Sequence, residues 1–267
     1  ILRSKPSAVF RLSRNDEVKA LMAQNSPLLA AISTTILSVA NTAEHYIATN
    51  CCLCLQNVSF PADGKNRIAL MQANDGKVIE ALCHCFAGVQ VDDGHKRVRE
   101  TSLSVLGNMV ITPDCKKGLF EIPGVVQKLL SCVDFGDREI NNVLAREKAL
   151  IMLKNMANHA DTKAPMFDFP GLLSSLMSVV SQTLSASKTH KEIALQILQN
   201  IVNHASTPMK LLDEHSDLMG TIISIVAARA TSNNETARTN ACLVLQNISF
   251  IEPCREKVRE KVEYQVL

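Results

Sequence analysis

Tryptophan is absent from the 267 residues, tyrosine occurs twice, and aromatic side chains make up 4% of the chain. Single-stranded nucleic acid is gripped by aromatic stacking over a basic groove, so this scarcity removes half of that device. The other half is missing as well, because 28 Lys and Arg oppose 26 Asp and Glu for a formal net charge of +2. Such a balance supports no general binder of nucleic acid or membrane surfaces and leaves only a local basic strip open. No apolar run approaches the roughly 20 residues that span a bilayer. Glycine-rich phosphate loops, paired metal-ligand motifs and nucleophile–base spacings are also lacking, so no enzyme, cofactor or resident metal is expected.

Cysteine, by contrast, occurs nine times. No secretory segment precedes these residues and several lie inside apolar helical patterns, which predicts a reducing, intracellular setting, cytoplasmic or nuclear. The chain opens on Ile1 and stops mid-pattern at Leu267, and is expected to be a piece of a longer protein. Cys51, Cys52, Cys54, Cys83 and Cys85, with His84, have the residue types of a metal site. The first three, however, stand where a later copy of the same motif carries Ala241, Cys242 and Val244. That is a packing pattern, and packing is the role expected for them and for Cys115, Cys132 and Cys254.

What the chain has in abundance is repetition. Leu-x-Asn recurs at Leu55-Gln56-Asn57, Leu106-Gly107-Asn108, Leu153-Lys154-Asn155, Leu198-Gln199-Asn200 and Leu245-Gln246-Asn247, with asparagines 51, 47, 45 and 47 residues apart. Thr49–Phe60 and Thr239–Phe250 are identical at nine of twelve positions. With 46% hydrophobic residues spread through every copy, one all-α solenoid with a continuous core is predicted, not separate globular domains. The expected units are 15–60, 61–111, 112–159, 160–204 and 205–250, with a partial unit at 251–267 and a leader, or the end of a preceding unit, at 1–14. Each reads as a short helix, a break, an apolar helix and a long helix ending at the asparagine.

These units resemble armadillo repeats, with Gly76, Gly124 and Gly171 at the matching bend before the second helix. The resemblance covers about Asn15 to Leu267 and implies a right-handed superhelix whose third helices line a concave groove. Six residues before each asparagine stands Cys51, Ser102, Ala149, Ala194 or Ala241, always small. Two residues before it stands leucine, so small residues let helices approach while leucines fill the core.

By resemblance, Asn57, Asn108, Asn155, Asn200 and Asn247 form a ladder that holds the main chain of an extended partner, since one carboxamide both donates and accepts. The competing role for each is to satisfy backbone groups between repeats. Importin-like grooves place tryptophans one turn earlier, where this chain has Leu53, Ser104, Ile151, Gln196 and Leu243, which argues against nuclear-import cargo. Arg97, Arg99, Arg146 and Lys148, with Lys191 and Arg238, suggest a basic track for an acidic or phosphorylated protein or peptide. The alternative is that these charges pair at a solvated edge with Glu100, Glu147, Glu192 and Glu235.

Three functions follow. The first is a non-enzymatic interaction scaffold that takes an extended or helical partner segment in the groove. The second is a structural or autoregulatory segment that packs against other domains of a larger protein. The third, metabolite sensing, has no dedicated signature in the sequence.

Overall fold

The apolar spacing becomes helices throughout the computed structural model, which describes residues 6–61, 64–86, 92–135, 143–182, 188–231 and 234–266. Among the described residues every regular element is helical. The first repeat contributes Asp16–Gln24, Ser26–Val39 and His45–Ser59, and the second Lys65–Gln72, Lys77–Phe86 and Asp93–Met109. Pro113–Glu121, Val125–Phe135 and Val143–Ala157 follow, then Lys163–Phe167, Leu172–Ser181 and Lys188–Val202, then Thr207–Glu214, Ser216–Ala227 and Glu235–Ser249. Parts of the expected helices that reach Val89, Glu139 and Leu184, the turn residues 62–63, and Leu267 lie outside the described residues. No single described helix is long and apolar enough to cross a membrane.

The chain divides into two compact units, Ile1–Met152 and Leu153–Leu267, with the boundary inside the helix Val143–Ala157. In the first, His45–Ser59 packs on Asp93–Met109, and Ser26–Val39 packs on Lys77–Phe86. In the second, Lys188–Val202 packs on Glu235–Ser249, and Glu252–Val266 packs on Thr207–Glu214, as the opening helix of a further repeat does. Val258 of that last helix is buried and Val262 half-buried.

Local chemistry explains the boundaries. Gly76, Gly124 and Gly171 adopt φ of 81°, 82° and 85°, a left-handed conformation that other residues reach only with strain. Asn15 caps its helix by accepting from Glu17 N at 2.9 Å, and Asn25 accepts from Leu28 N at 3.0 Å. The long helix of the first repeat starts at His45 with Glu44 before it and no side-chain cap bond, although Asn41 and Thr42, residue types that cap, lie just upstream. Asn41 is drawn instead to His84, its Nδ2 3.0 Å from Nε2.

Repeats are stitched where helices most need partners. The last carbonyls of a helix have no intrahelical donor, and the next repeat supplies one. Val58 O accepts from Asn66 Nδ2 at 3.1 Å, Met156 O from Thr162 Oγ1, and Ile201 O from Thr207 Oγ1 at 2.9 Å. These three carbonyls each follow a repeat asparagine by one residue. Arg67 adds Nε to Ser59 O at 2.9 Å, and Arg255 repeats that bond to Ser249 O at 3.2 Å.

The segment Pro6–Leu12 ends in the same geometry as the long helices. Ser13 Oγ donates to Phe10 O at 2.7 Å as Ser59 Oγ donates to Gln56 O at 2.9 Å, and each serine then accepts from the next repeat's asparagine.

Candidate partner-binding surface

Each long helix splits into a buried face and an accessible one. Six and three residues before the asparagine the side chains are buried in all five copies: Cys51 and Cys54, Ser102 and Val105, Ala149 and Met152, Ala194 and Ile197, Ala241 and Val244. Leu55, Leu106, Leu153 and Leu198 are buried too, whereas Leu245 is half-buried and Cys242 exposed on the last long helix. At a rise of 3.6 residues per turn, the asparagine shares its face with positions four, seven and eleven residues before it. The residues four before, Leu53, Ser104, Ile151, Gln196 and Leu243, are uniformly half-buried, and those eleven before, Tyr46, Arg97, Leu144, Thr189 and Thr236, are exposed.

All five asparagines are half-buried at the same station of their helices. Four make the same kind of bond. Asn57 Nδ2 donates to Ser13 Oγ at 3.0 Å, and Asn108 Nδ2 to Ser59 Oγ at 3.0 Å and Gln56 O at 3.4 Å. Asn200 Nδ2 donates to Lys154 O at 3.4 Å, and Asn247 Nδ2 to Gln199 O at 3.1 Å. A carbonyl only accepts, so the nitrogen faces the neighbouring repeat and the orientation of Asn108, Asn200 and Asn247 is fixed. Asn240, about two turns earlier, ties to Glu192 O at 3.3 Å in the same manner. Asn155 holds the equivalent position on Val143–Ala157.

The basic row does not form one accessible track. Arg97 is exposed, while Arg99 and Arg146 are buried, at 6% and 3% exposure. Lys148 is half-buried, and its Nζ donates to Ser104 Oγ. Arg238 turns both Nε and Nη2 to Val226 O at 3.2 Å, closing the end of Ser216–Ala227. Lys191 is half-buried, and desolvation lowers its ammonium pKa. The helical count explains the split: nine residues before the asparagine is about 180° around the helix from it, whereas eleven is about 20°.

Eight of the nine cysteines are buried, and all are free thiols. Burial pushes Cys51, Cys54 and Cys83 up to about 12. Cys52 is raised by its hydrogen bond with Cys85 and then by burial. Metal ligation needs the thiolate, so these environments favour the packing role. His159 and His204 turn Nδ1 back on the backbone N–H of Asp161 at 3.3 Å and Ser206 at 3.4 Å.

Three exposed apolar side chains went unmarked in the sequence. Phe60, Ile111 and Phe250 each follow a repeat asparagine by three residues, just past the end of its long helix, with exposures of 70%, 58% and 87%. The signal was their recurrence at a fixed offset. Phe60 and Ile111 border an open pocket of about 650 Å³ that also touches Asn108, Arg67, Asp16 and Lys19. A second pocket, about 430 Å³ within the second unit, is lined by Phe167, Pro170, Met177, Glu214 and His215.

Solved structures share this fold. An engineered protein from the Northeast Structural Genomics Consortium matches with a TM-score of 0.63 at 15% identity, over 94% of this chain and 92% of that one. A designed armadillo repeat protein matches at 0.61 and 14% identity, over 92% of each chain. A second engineered protein of the consortium matches at 0.51 and 15% identity, over 98% of this chain and 72% of that one. No family model and no curated protein matches the sequence. The chain is thus an all-α repeat array of the armadillo type.

Proposed function

We propose that this chain is a protein-interaction scaffold that receives an extended or helical segment of a protein partner along the accessible face of its long helices. The observation that carries the reading is the orientation of the asparagines. With Nδ2 tied to a carbonyl of the preceding repeat, the side chains of Asn108, Asn200 and Asn247 are held in orientation and offer Oδ1 to an incoming main-chain N–H. Within each unit the partner then meets preorganised acceptors, and little ordering is needed on the scaffold side.

Asn57, Asn108, Asn155, Asn200 and Asn247 are the proposed backbone contacts. Tyr46, Phe60, Ile111 and Phe250 supply apolar contact, and Arg97 and Lys148 favour an acidic segment. Arg99 and Arg146, being buried, support the helices that carry the face. The work is recognition without chemical conversion.

The test is a displayed peptide library selected on the purified chain, with acidic, neutral and basic pools. Enrichment of acidic sequences is expected, with binding lost in Phe60→Ser and weakened in Arg97→Glu with Lys148→Glu at unchanged thermal stability. Selection of no peptide, or peptides indifferent to all three changes, overturns the reading.

A further inference from the structure

The loop before the helix Asp93–Met109 and the start of His45–Ser59 bring two imidazoles together in the first unit. The ring centroids of His45 and His95 lie 4.9 Å apart, tilted by 47°. One ligand atom from each of His45, Asp92 and His95 lies within 4.8 Å of the others. No sequence motif announces them, because the residues come from two repeats.

Both rings have their tautomer set by an acceptor. His95 Nδ1 lies 2.5 Å from Asp92 Oδ2, and His45 Nδ1 lies 3.3 Å from the Thr42 carbonyl. A carbonyl accepts only, and the Asp92 carboxylate is already an acceptor here, its Oδ1 taking the backbone N–H groups of Gly94 and His95 at 3.0 Å each. The proton therefore sits on Nδ1 of each ring, and each Nε2 carries a free lone pair. On His95, a residue 7% exposed, that Nε2 is buried and has no hydrogen-bond partner among the described residues. An unmet buried lone pair is costly and native structures seldom keep one without use.

Gly94 shows how closely the site is built. A Cβ at this position would fall 1.9 Å from His45 Nε2, so the glycine lets the imidazole reach the start of the helix. Two lone pairs cannot satisfy one another, but both can satisfy a cation. The positive pole of the helix opposes one there, and Asp92 at its N-cap and Asp93 in its first turn offset that pole.

We propose that Nε2 of His45 and Nε2 of His95 bind a divalent ion of the imidazole-preferring class, such as Zn²⁺ or Ni²⁺ and not Ca²⁺ or Mg²⁺. Asp92 stands behind His95 as a positioning residue, in the carboxylate–histidine–metal arrangement that orients a ligating ring. Rotation of the half-buried His45 ring closes the pair onto an ion at about 2.0–2.1 Å. The remaining coordination positions are left to water or to a partner's side chain.

The test is calorimetric titration of Zn²⁺ into the full chain carrying Cys242→Ser, under a phosphine reductant, so that the exposed thiol does not compete. One equivalent is expected to bind, while Ca²⁺ gives no heat. His45→Phe keeps the packing of a half-buried ring and is expected to abolish binding. Asp92→Asn keeps a helix cap and is expected to weaken binding about 10–100-fold, and Gly94→Ala displaces the His45 ring with a similar loss. Circular dichroism confirms that each variant is folded. Absence of Zn²⁺ binding by the parent chain, or binding unchanged in folded His45→Phe and Asp92→Asn, overturns the site.

Discussion

Asn247 donates from Nδ2 to the Gln199 carbonyl at 3.1 Å, and Gln199 is the residue immediately before the asparagine of the preceding repeat. Asn200 reaches Lys154 by the same step back along the chain. The carboxamide is thus a clamp between consecutive long helices before it is anything else, and its side chain serves a partner through Oδ1 and the second Nδ2 hydrogen.

That division predicts different outcomes for two substitutions at one site. Asn200→Ala removes a single inter-repeat bond and is expected to cost about 1 kcal/mol. Asn200→Asp sets a carboxylate oxygen against a carbonyl oxygen and is expected to cost about 1–3 kcal/mol. Urea unfolding of both, beside Thr189→Ala at an exposed position, measures the difference. Equal stability of Asn200→Asp and Thr189→Ala would show that the clamp bears no load.

Two glycines predict opposite signs. Gly171 sits at φ of 85°, so Gly171→Ala forces an L side chain into the left-handed region and is expected to cost about 1–2 kcal/mol. Gly107 lies inside the helix Asp93–Met109, and a Cβ there meets nothing within 4 Å. Gly107→Ala is expected to stabilise by about 0.5–1 kcal/mol through helix propensity. Thermal melts of the two variants should move in opposite directions.

Much of this was legible because repeats align landmarks that physics constrains. Small residues at 51, 102, 149, 194 and 241 marked the close-packed face, and glycines at 76, 124 and 171 marked the left-handed bends. Arg99 and Arg146 were misplaced for a countable reason: recurrence at a fixed offset shows that a position is shared, while only the angle about the helix shows which way it faces. Their burial could have been found by counting at 100° per residue. The His45–His95 pair could not, since its members lie 50 positions apart and hold no common place in the repeat.

Arg97 and Arg99 separate surface charge from buried charge on one helix. Arg97→Glu changes an exposed side chain and is expected to leave stability within about 0.5 kcal/mol. Arg99→Glu puts a carboxylate where a guanidinium stands at 6% exposure, and is expected to cost about 3–5 kcal/mol. A melting temperature for Arg99→Glu close to that of Arg97→Glu would contradict the burial that removes Arg99 from the accessible face.

The thiols predict both a reactivity pattern and an alkaline limit. Burial holds Cys51, Cys54, Cys83 and Cys132 up to about 12 in the folded chain, against an ordinary value of 9.0. Protonation is therefore favoured in the native state, and the stability this confers is complete below pH 9. As pH rises past 9 the unfolded thiols ionise first, and stability is drawn down until the folded thiols ionise near 12, by about 1.4 kcal/mol per thiol for each pH unit in that window. Denaturant midpoints taken from pH 8 upward should be flat to 9 and then fall. At pH 8 a thiol reagent should meet one fast group, the exposed Cys242, and all nine only after unfolding, because attack requires an accessible thiolate. Rapid labelling of several thiols in the folded chain would place the cysteine-rich faces at the surface and undo the packing described for the first two repeats.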